Sequence, residues 1–279
     1  MREFAFDAAF GRMAGLHLER PGRPKVIGLH GWLDNAASFI PLLEHLPELD
    51  LLLLDLPGHG HSDHLPAGTQ YGLRITINAI LDVVDGLGWE SFGLLGHSMG
   101  AAIASIMAAA LPQRVTRLAV IEALGPLSDD PDNATVRLRR WIEAERGLRR
   151  KSQRVFSDET VPVRVRMAVN RISKKNATLL VNRGIIPVEK GFIWRTDQRL
   201  TLPDMRRMTE AQALAWVAGI ECPTKAVFAE PAQEYFPEAA RRNRVEKLAH
   251  GKVFYMAGVH HLHMEEPEAV AKAIGDHFV

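Results

Sequence analysis

The stretch GLLGHSMGAAIA, residues 93–104, decides the fold of this chain. It places Ser98 between Gly96 and Gly100, after an apolar run and before an alanine-rich segment. A serine on a sharp strand-to-helix turn needs small neighbours, because the backbone packs closely around it. The stretch therefore predicts a strand, a sharp turn and a helix, with Ser98 as a candidate nucleophile. The alternative is that Ser98 only caps the helix between two glycines.

Short apolar runs continue this pattern along the chain. Strands that are covered on both faces read as continuous apolar runs, and helical stretches separate these runs at 74–87 and 99–111. The alternation predicts a doubly wound, mostly parallel α/β sheet. The predicted strands are KVIGLH (25–30), LLLLD (51–55), FGLLG (92–96), RLAVIE (117–122), TKAVFAE (224–230) and KVFYMAG (252–258).

The alternation stops after residue 125 and resumes near residue 221. The segment 126–220 is rich in arginine and carries a net charge of +8, whereas the rest of the chain carries −7. It contains an irregular section at 184–204. We therefore predict one α/β core, built from 1–125 and 221–279, with 126–220 inserted as a helical cap.

Length and composition favour a compact, soluble protein. The chain has 279 residues, of which 47% are hydrophobic and 24% charged, and no run approaches the ~18 apolar residues of a membrane span. The N-terminus lacks the apolar region of a secretory signal. A single cysteine, Cys222, cannot form an internal disulfide and is expected to pack in the core. A cytoplasmic location is the expectation.

A nucleophilic serine needs a base and donors for an oxyanion. A His-Gly pair at 30–31 follows the first parallel strand, so the amides of Trp32 and Met99 are the predicted oxyanion donors. In this architecture the base follows the last strand, and His260 comes first there. His261 and His263 follow it, and a metal site built from the three histidines is the weaker alternative, because their spacing is not typical of one.

Four motifs resemble the α/β-hydrolase superfamily across nearly the whole chain outside the cap: HGWLDNAASF, DLPGHGHSD, GHSMGAAIA and VHHLHMEEPEAV. GFIWRTDQRLTLP, IECP and IEALGP look more narrowly like the serine hydrolase-like proteins. The resemblance implies that His260 is catalytic, although Val259 stands where relatives usually have a second glycine. It also implies that His59 and His61 frame the site rather than react.

The triad acid departs from the commoner pattern of this superfamily. Most relatives carry an Asp shortly after the strand at 224–230, where this chain has Ala232. Some relatives instead place the acid after the strand that follows the nucleophile helix, and Glu122 stands there. A carboxylate at the end of an apolar strand needs a reason to be buried. Glu122 is our predicted acid, Glu234 is the alternative, and an impaired triad is the third possibility.

These residues predict a serine hydrolase that cleaves a carboxylic ester, or a thioester, amide or lactone, through an acyl-enzyme. No metal, nucleotide or flavin motif is present, and we expect no cofactor. The expected partner is a small ester-like molecule, apolar or anionic. The rival interpretation is a catalytically weak ligand-binding protein with the same fold. The arginines of the cap could contact nucleic acid, but charged helix faces are more often solvated. The sequence does not indicate an oligomeric state.

Overall fold

An eight-stranded sheet forms the centre of the molecule in the computed structural model, which describes residues 1–279. The strands of this sheet are β1 (Arg2–Ala8), β2 (Gly11–Leu18), β3 (Lys25–Leu29), β4 (Asp50–Asp55), β5 (Phe92–His97), β6 (Val115–Ile121), β9 (Thr224–Glu230) and β10 (Gly251–Ala257), while β7 and β8 form a separate hairpin described below. Their order across the sheet is β1-β2-β4-β3-β5-β6-β9-β10. Strands β3 to β6, β9 and β10 pair in parallel, whereas β1 with β2 and β2 with β4 pair antiparallel at one edge.

Helices cover both faces of this sheet. The helices are α1 (Leu73–Gly86), α2 (Met99–Ala110), α3 (Ala134–Leu148), α4 (Thr160–Asn170), α5 (Lys174–Gly184), α6 (Glu210–Ala218), α7 (Glu238–Val245), α8 (Leu262–Glu265) and α9 (Pro267–Ile274). One apolar core lies between the sheet and helices α1, α2 and α6, and it includes Ile80, Ala104 and Val217. A second core lies under α9 and a 3₁₀ helix at Ala36–Leu42. The predicted doubly wound α/β fold is confirmed.

All residues of β4 and β5 are buried, which agrees with their continuous apolar sequences. The N-terminal hairpin of β1 and β2 was not predicted. Strand β1 lies at the sheet edge, and its side chains alternate between exposed and partly buried positions. Such an edge strand carries a weaker apolar signal than a central strand.

The segment 126–220 connects β6 to β9, which are neighbours in the sheet. Helices α4 and α5 form a small apolar cluster of their own with Met264, whereas α6 and the turn after it pack on the main core through Val217 and Ile220. The expectation that 184–204 is irregular is wrong in part, because β7 (Ile185–Val188) and β8 (Gly191–Trp194) pair there as an antiparallel hairpin. The domain boundaries at 126 and 220 stay a prediction.

Two buried ion pairs fasten this segment to the sheet. Arg183 on α5 donates from Nε to both carboxylate oxygens of Asp55, at 3.1 and 2.9 Å, and from Nη1 to Glu3 at 2.7 Å. Arg166 on α4 lies 3.2 Å from Asp34 and also donates to the carbonyl of Leu33. Helices α4 and α5 are therefore held over the carboxyl ends of the strands. No helix of the chain is both long enough and apolar enough to span a bilayer.

Candidate active site

Ser98 lies on the turn between β5 and α2, with φ 51° and ψ −115°. Its amide donates to the carbonyl of Ile121 at 2.8 Å, which ties the turn to the neighbouring strand β6. A Cβ atom on Gly96 would lie 2.5 Å from Ala101 Cα, and one on Gly100 would overlap the carbonyl oxygen of Leu29. These close approaches explain why both positions are glycine.

His260 and Glu122 come together at the same edge of the sheet. Glu122 follows β6 directly and is 1% exposed. His260 lies between β10 and α8, and its Nδ1 is 3.0 Å from Glu122 Oε2. Because a carboxylate only accepts, this contact assigns the proton to Nδ1 and leaves Nε2 with a lone pair.

The other oxygen of Glu122 is fixed from the next strand. Its Oε1 accepts a hydrogen bond from the amide of Ala229 on β9 at 2.5 Å. Glu234 is exposed and makes no hydrogen bond with His260. The geometry therefore brings Glu122 to the histidine and leaves the alternative carboxylate in solvent.

Ser98 Oγ and His260 are not hydrogen-bonded to each other. The side chain of His97, the residue before Ser98, donates from Nε2 to the carbonyl of His260 at 2.9 Å, which ties the two loops together. Serine–histidine hydrogen bonds are often long before substrate binds and tighten in the complex. A serine and a histidine that form this bond only in the complex are therefore expected to lie apart in the unliganded protein.

The backbone amides of Trp32 and Met99 have no partner within the protein. Met99 is the first residue of α2, where the helix dipole favours negative charge. The Trp32 indole donates to the carbonyl of Leu200 at 2.8 Å, while the side chain as a whole is 52% exposed. The two amides predicted from the sequence are thus available to a ligand.

Tyr235 is a site residue that the sequence analysis missed. Its hydroxyl lies 3.0 Å from His260 Nδ1 and 3.4 Å from Nε2. Burial of the hydroxyl, followed by the charge of Glu122, raises the pKa of Tyr235, so the phenol stays protonated at neutral pH. The residue follows β9 in the loop that carries Ala232, and no motif marks it.

A buried polar cluster lies beneath the site. Its members are Asp34, His97 and His261, with Arg166 from α4. Burial alone would raise the pKa of Asp34, but contacts with His261 and Arg166 hold it well below its usual value. Burial and the neighbouring histidines lower the pKa of His97 well below its usual value.

This cluster also bears on the metal alternative. His260, His261 and His263 do not converge on one point as ligands. Asp34, His97 and His261 each have one ligand atom within 4.8 Å of the others. However, Arg166 already balances the charge of Asp34 and would repel a cation, so we assign the cluster to a structural ion-pair network.

His59 and His61 flank the site without facing His260. His59 is buried, and its Nε2 accepts from the amide of Leu33 at 3.3 Å. Burial, reinforced by the nearby His30, lowers the pKa of His59 to about 3. His59 is therefore neutral and acts as an acceptor that shapes the loop before Asp34.

Comparison with known proteins agrees with this architecture. A family model described as alpha/beta hydrolase fold matches residues 24–158. A probable serine hydrolase of Drosophila melanogaster is 30% identical, with 98% of this chain and 86% of the fly protein covered. A serine hydrolase-like protein of Danio rerio is 27% identical, over 98% of this chain and 87% of the relative.

A solved structure has a higher sequence identity to this chain than these two relatives. A hypothetical protein from Pseudomonas aeruginosa PAO1 has a TM-score of 0.91 and 40% identity, with 100% of this chain and 98% of that chain covered. The chain therefore belongs to the α/β-hydrolase superfamily and is close to the serine hydrolase-like proteins. The resemblance drawn from the sequence motifs is confirmed.

Proposed function

We propose that this protein is a serine hydrolase that cleaves carboxylic esters through a covalent acyl-enzyme. The single observation that carries the proposal is the 3.0 Å contact between His260 Nδ1 and the buried carboxylate of Glu122. That contact lies at the edge of the sheet where Ser98 occupies a strained turn. A base oriented by an acid beside a serine elbow is the arrangement that activates a hydroxyl.

In the first half of the reaction, Ser98 Oγ attacks the substrate carbonyl carbon while His260 Nε2 takes the hydroxyl proton. The Trp32 and Met99 amides donate to the oxygen that becomes negative. Glu122 accepts from Nδ1–H and stabilises the imidazolium as it forms. When the tetrahedral intermediate collapses, His260 gives its proton to the leaving oxygen and the alcohol departs.

In the second half, water attacks the acyl-enzyme. His260 takes a proton from this water, and the carboxylic acid is released when Ser98 recovers its proton. The same steps apply to thioesters, amides and lactones, which differ in the leaving group. We expect a small substrate with an apolar or anionic part, because the exposed Trp32 ring lies at the site and the cap carries an excess of positive charge.

A fluorophosphonate probe tests this proposal, because it reacts with an activated serine without a knowledge of the substrate. Wild-type protein should be labelled, and Ser98→Ala should not be. Ser105→Ala is a matched control, since Ser105 lies on the same helix and its hydroxyl bonds the carbonyl of Ala101 at 2.7 Å. Labelling should survive in that variant.

The alternative function is a ligand-binding protein with weak or no turnover. An unlabelled wild type with a native circular dichroism spectrum would favour that function and overturn ours. If the wild type is labelled, a panel of nitrophenyl esters of increasing acyl length will define its substrate range. Activity restricted to one length would give the length of the acyl group that the pocket accepts.

A further inference from the structure

We propose that Arg241 is a positioning residue for Glu122: it places a fixed positive charge beside one carboxylate oxygen and leaves the other oxygen for His260. The proposal deepens the proposed function and rests on it where catalysis is concerned. No motif of the sequence points to Arg241, which lies on α7 in the polar stretch EAARRNRV.

The guanidinium of Arg241 is held by two backbone carbonyls and two aromatic rings. The residue is 1% exposed. Its Nε donates to the carbonyl of Phe236 at 3.1 Å, and its Nη1 donates to the carbonyl of Ala229 at 2.7 Å. The rings of Phe228 and Phe236 lie 5.0 and 5.6 Å from the guanidinium carbon. This planar group therefore has little freedom to rotate.

One nitrogen of Arg241 is left for Glu122. Nη2 has no hydrogen-bond partner, and it lies 3.5 Å from Glu122 Oε1. The same Oε1 accepts from the amide of Ala229, while Oε2 faces His260. Because they use different oxygens, Arg241 and His260 do not compete for the carboxylate.

A buried carboxylate without a countercharge either takes up a proton or moves towards water. The Glu122 side chain is 0% exposed. The ionisable groups near it are Arg241, His260 and Tyr235, and of these only the arginine carries a permanent charge. Arg241 is thus the permanent countercharge of the buried Glu122 side chain.

This arrangement also gives a role to the connection after β9. In the commoner pattern of the superfamily, that connection carries the acid itself, and here it carries Ala232. Helix α7, which follows the same connection, instead supplies a cation to an acid on the adjacent strand. The segment after β9 therefore acts on His260 through Arg241 and Glu122 instead of supplying the acid itself.

Arg244 provides a matched control on the same helix. It is 2% exposed, and its guanidinium lies 5.0 Å from the Phe236 ring. It pairs with Glu210, at 2.9 and 2.8 Å, and donates to the carbonyls of Leu124 and Pro126. Arg244→Gln therefore removes a buried, stacked arginine of α7 without touching Glu122.

The experiment compares Arg241→Gln, Arg241→Lys and Arg244→Gln by two measurements. The first is the fluorophosphonate labelling rate. The second is the low-field proton resonance of His260 Nδ1–H, assigned by its absence in Glu122→Gln. Arg241→Gln should lower the labelling rate by at least about tenfold and abolish the resonance. Arg241→Lys should recover part of both, and Arg244→Gln should keep both.

Several results would overturn the proposal. The first is an Arg241→Gln variant with an unchanged labelling rate and resonance. The second is an Arg244→Gln variant that loses as much of both as Arg241→Gln does. The third is an Arg241→Lys variant that recovers neither. An unlabelled wild type would instead remove the proposed hydrolase function, and the resonance would still decide whether Arg241 orients Glu122.

A variant that fails to fold is also informative. If Arg241→Gln does not fold, the double variant Arg241→Gln/Glu122→Gln removes both charges. A folded double variant, judged by thermal unfolding, supports the coupling, because it relieves an unpaired buried carboxylate. An unfolded double variant beside a folded Arg244→Gln would make Arg241 a structural support independent of Glu122.

Discussion

Glu122 bears a charge at the end of a strand whose inner side chains are apolar, and its backbone has φ 62°. A non-glycine residue in this left-handed region is strained by about 1–2 kcal/mol. Its amide donates to the carbonyl of Val227 at 2.9 Å, so the strained backbone is held by β9. Non-glycine residues in this backbone region are often found at active sites, where the backbone positions a side chain that takes part in the reaction.

Replacing Glu122 by Gln tests this residue directly. The amide keeps the size of the side chain but can present a donor to His260, which favours the wrong tautomer. In the serine protease template the equivalent change costs about 10⁴ in kcat, so we expect a loss of at least ~10² here. The measurement is kcat on a nitrophenyl ester.

Glu234→Gln, assayed in parallel, should lower kcat by less than about tenfold, because an exposed carboxylate contributes little to the barrier. The opposite ranking would transfer the role of acid to Glu234. If neither Glu122→Gln nor Glu234→Gln lowers kcat while Ser98→Ala is inactive, the enzyme works with a serine–histidine dyad.

At the scale of elements, the start of α2 depends on its close approach to β3. A Cβ on Gly100 would overlap the Leu29 carbonyl oxygen, which is backbone and cannot rotate away. Gly100→Ala should therefore shift α2, lower the free energy of unfolding by about 2–3 kcal/mol, and slow fluorophosphonate labelling. Urea unfolding and labelling measure the two effects.

Gly147 on α3 offers the opposite case. No atom lies within 4 Å of the position of its Cβ, so Ala fits without strain. Gly147→Ala should raise the free energy of unfolding by up to about 1 kcal/mol, because alanine is the better helix former. Equal stability of the two alanine variants would show that α2 is not constrained by β3.

The elements also show what the sequence could and could not predict. Buried strands such as β4 were predicted because burial on both faces leaves a continuous apolar run. The hairpin of β7 and β8 was not, since each strand has four residues and β7 contains Pro187. Ser98 and His260 belong to local motifs, whereas Arg241 meets Glu122 only through the packing of α7 on β9. Contacts of that kind have no local pattern.

At the scale of the whole molecule, ion pairs hold the segment 126–220 on the sheet. Asp55 is 0% exposed, so Arg183→Gln leaves a buried carboxylate without its cation. We expect the free energy of unfolding to fall by about 3 kcal/mol in urea. Arg149→Gln, which breaks an exposed pair with Glu145, should change it by less than about 0.5 kcal/mol. Similar effects of the two substitutions would mean that the Asp55 pair does not secure the segment.

Buried histidines should make the whole molecule sensitive to acid. Burial lowers the pKa of His30, His97 and His263, and it lowers the pKa of His59 to about 3. Below about pH 6.5, the unfolded chain binds protons that the folded chain does not. Stability is therefore fully present above that pH and falls as the pH decreases.

As the pH falls below about 6.5, the free energy of unfolding should decrease by up to about 1.4 kcal/mol per pH unit for each such histidine. Urea midpoints at pH 7.5 and 5.5 measure it, with the higher midpoint expected at pH 7.5. Equal midpoints would mean that these rings take up protons in the folded state.

The pairing of β6 with β9 has a consequence for how this superfamily diverges. Ile121 and Val227 are register partners, and the Ala229 amide donates to Glu122, so the end of β6 lies beside the last residues of β9. Glu122 reaches the His260 ring from the end of β6 at 3.0 Å, whereas the commoner pattern of the superfamily places the acid after β9. A protein with both acids would keep its histidine partnered if either one were lost, so an exchange of the acid between the two strands needs no intermediate without a triad.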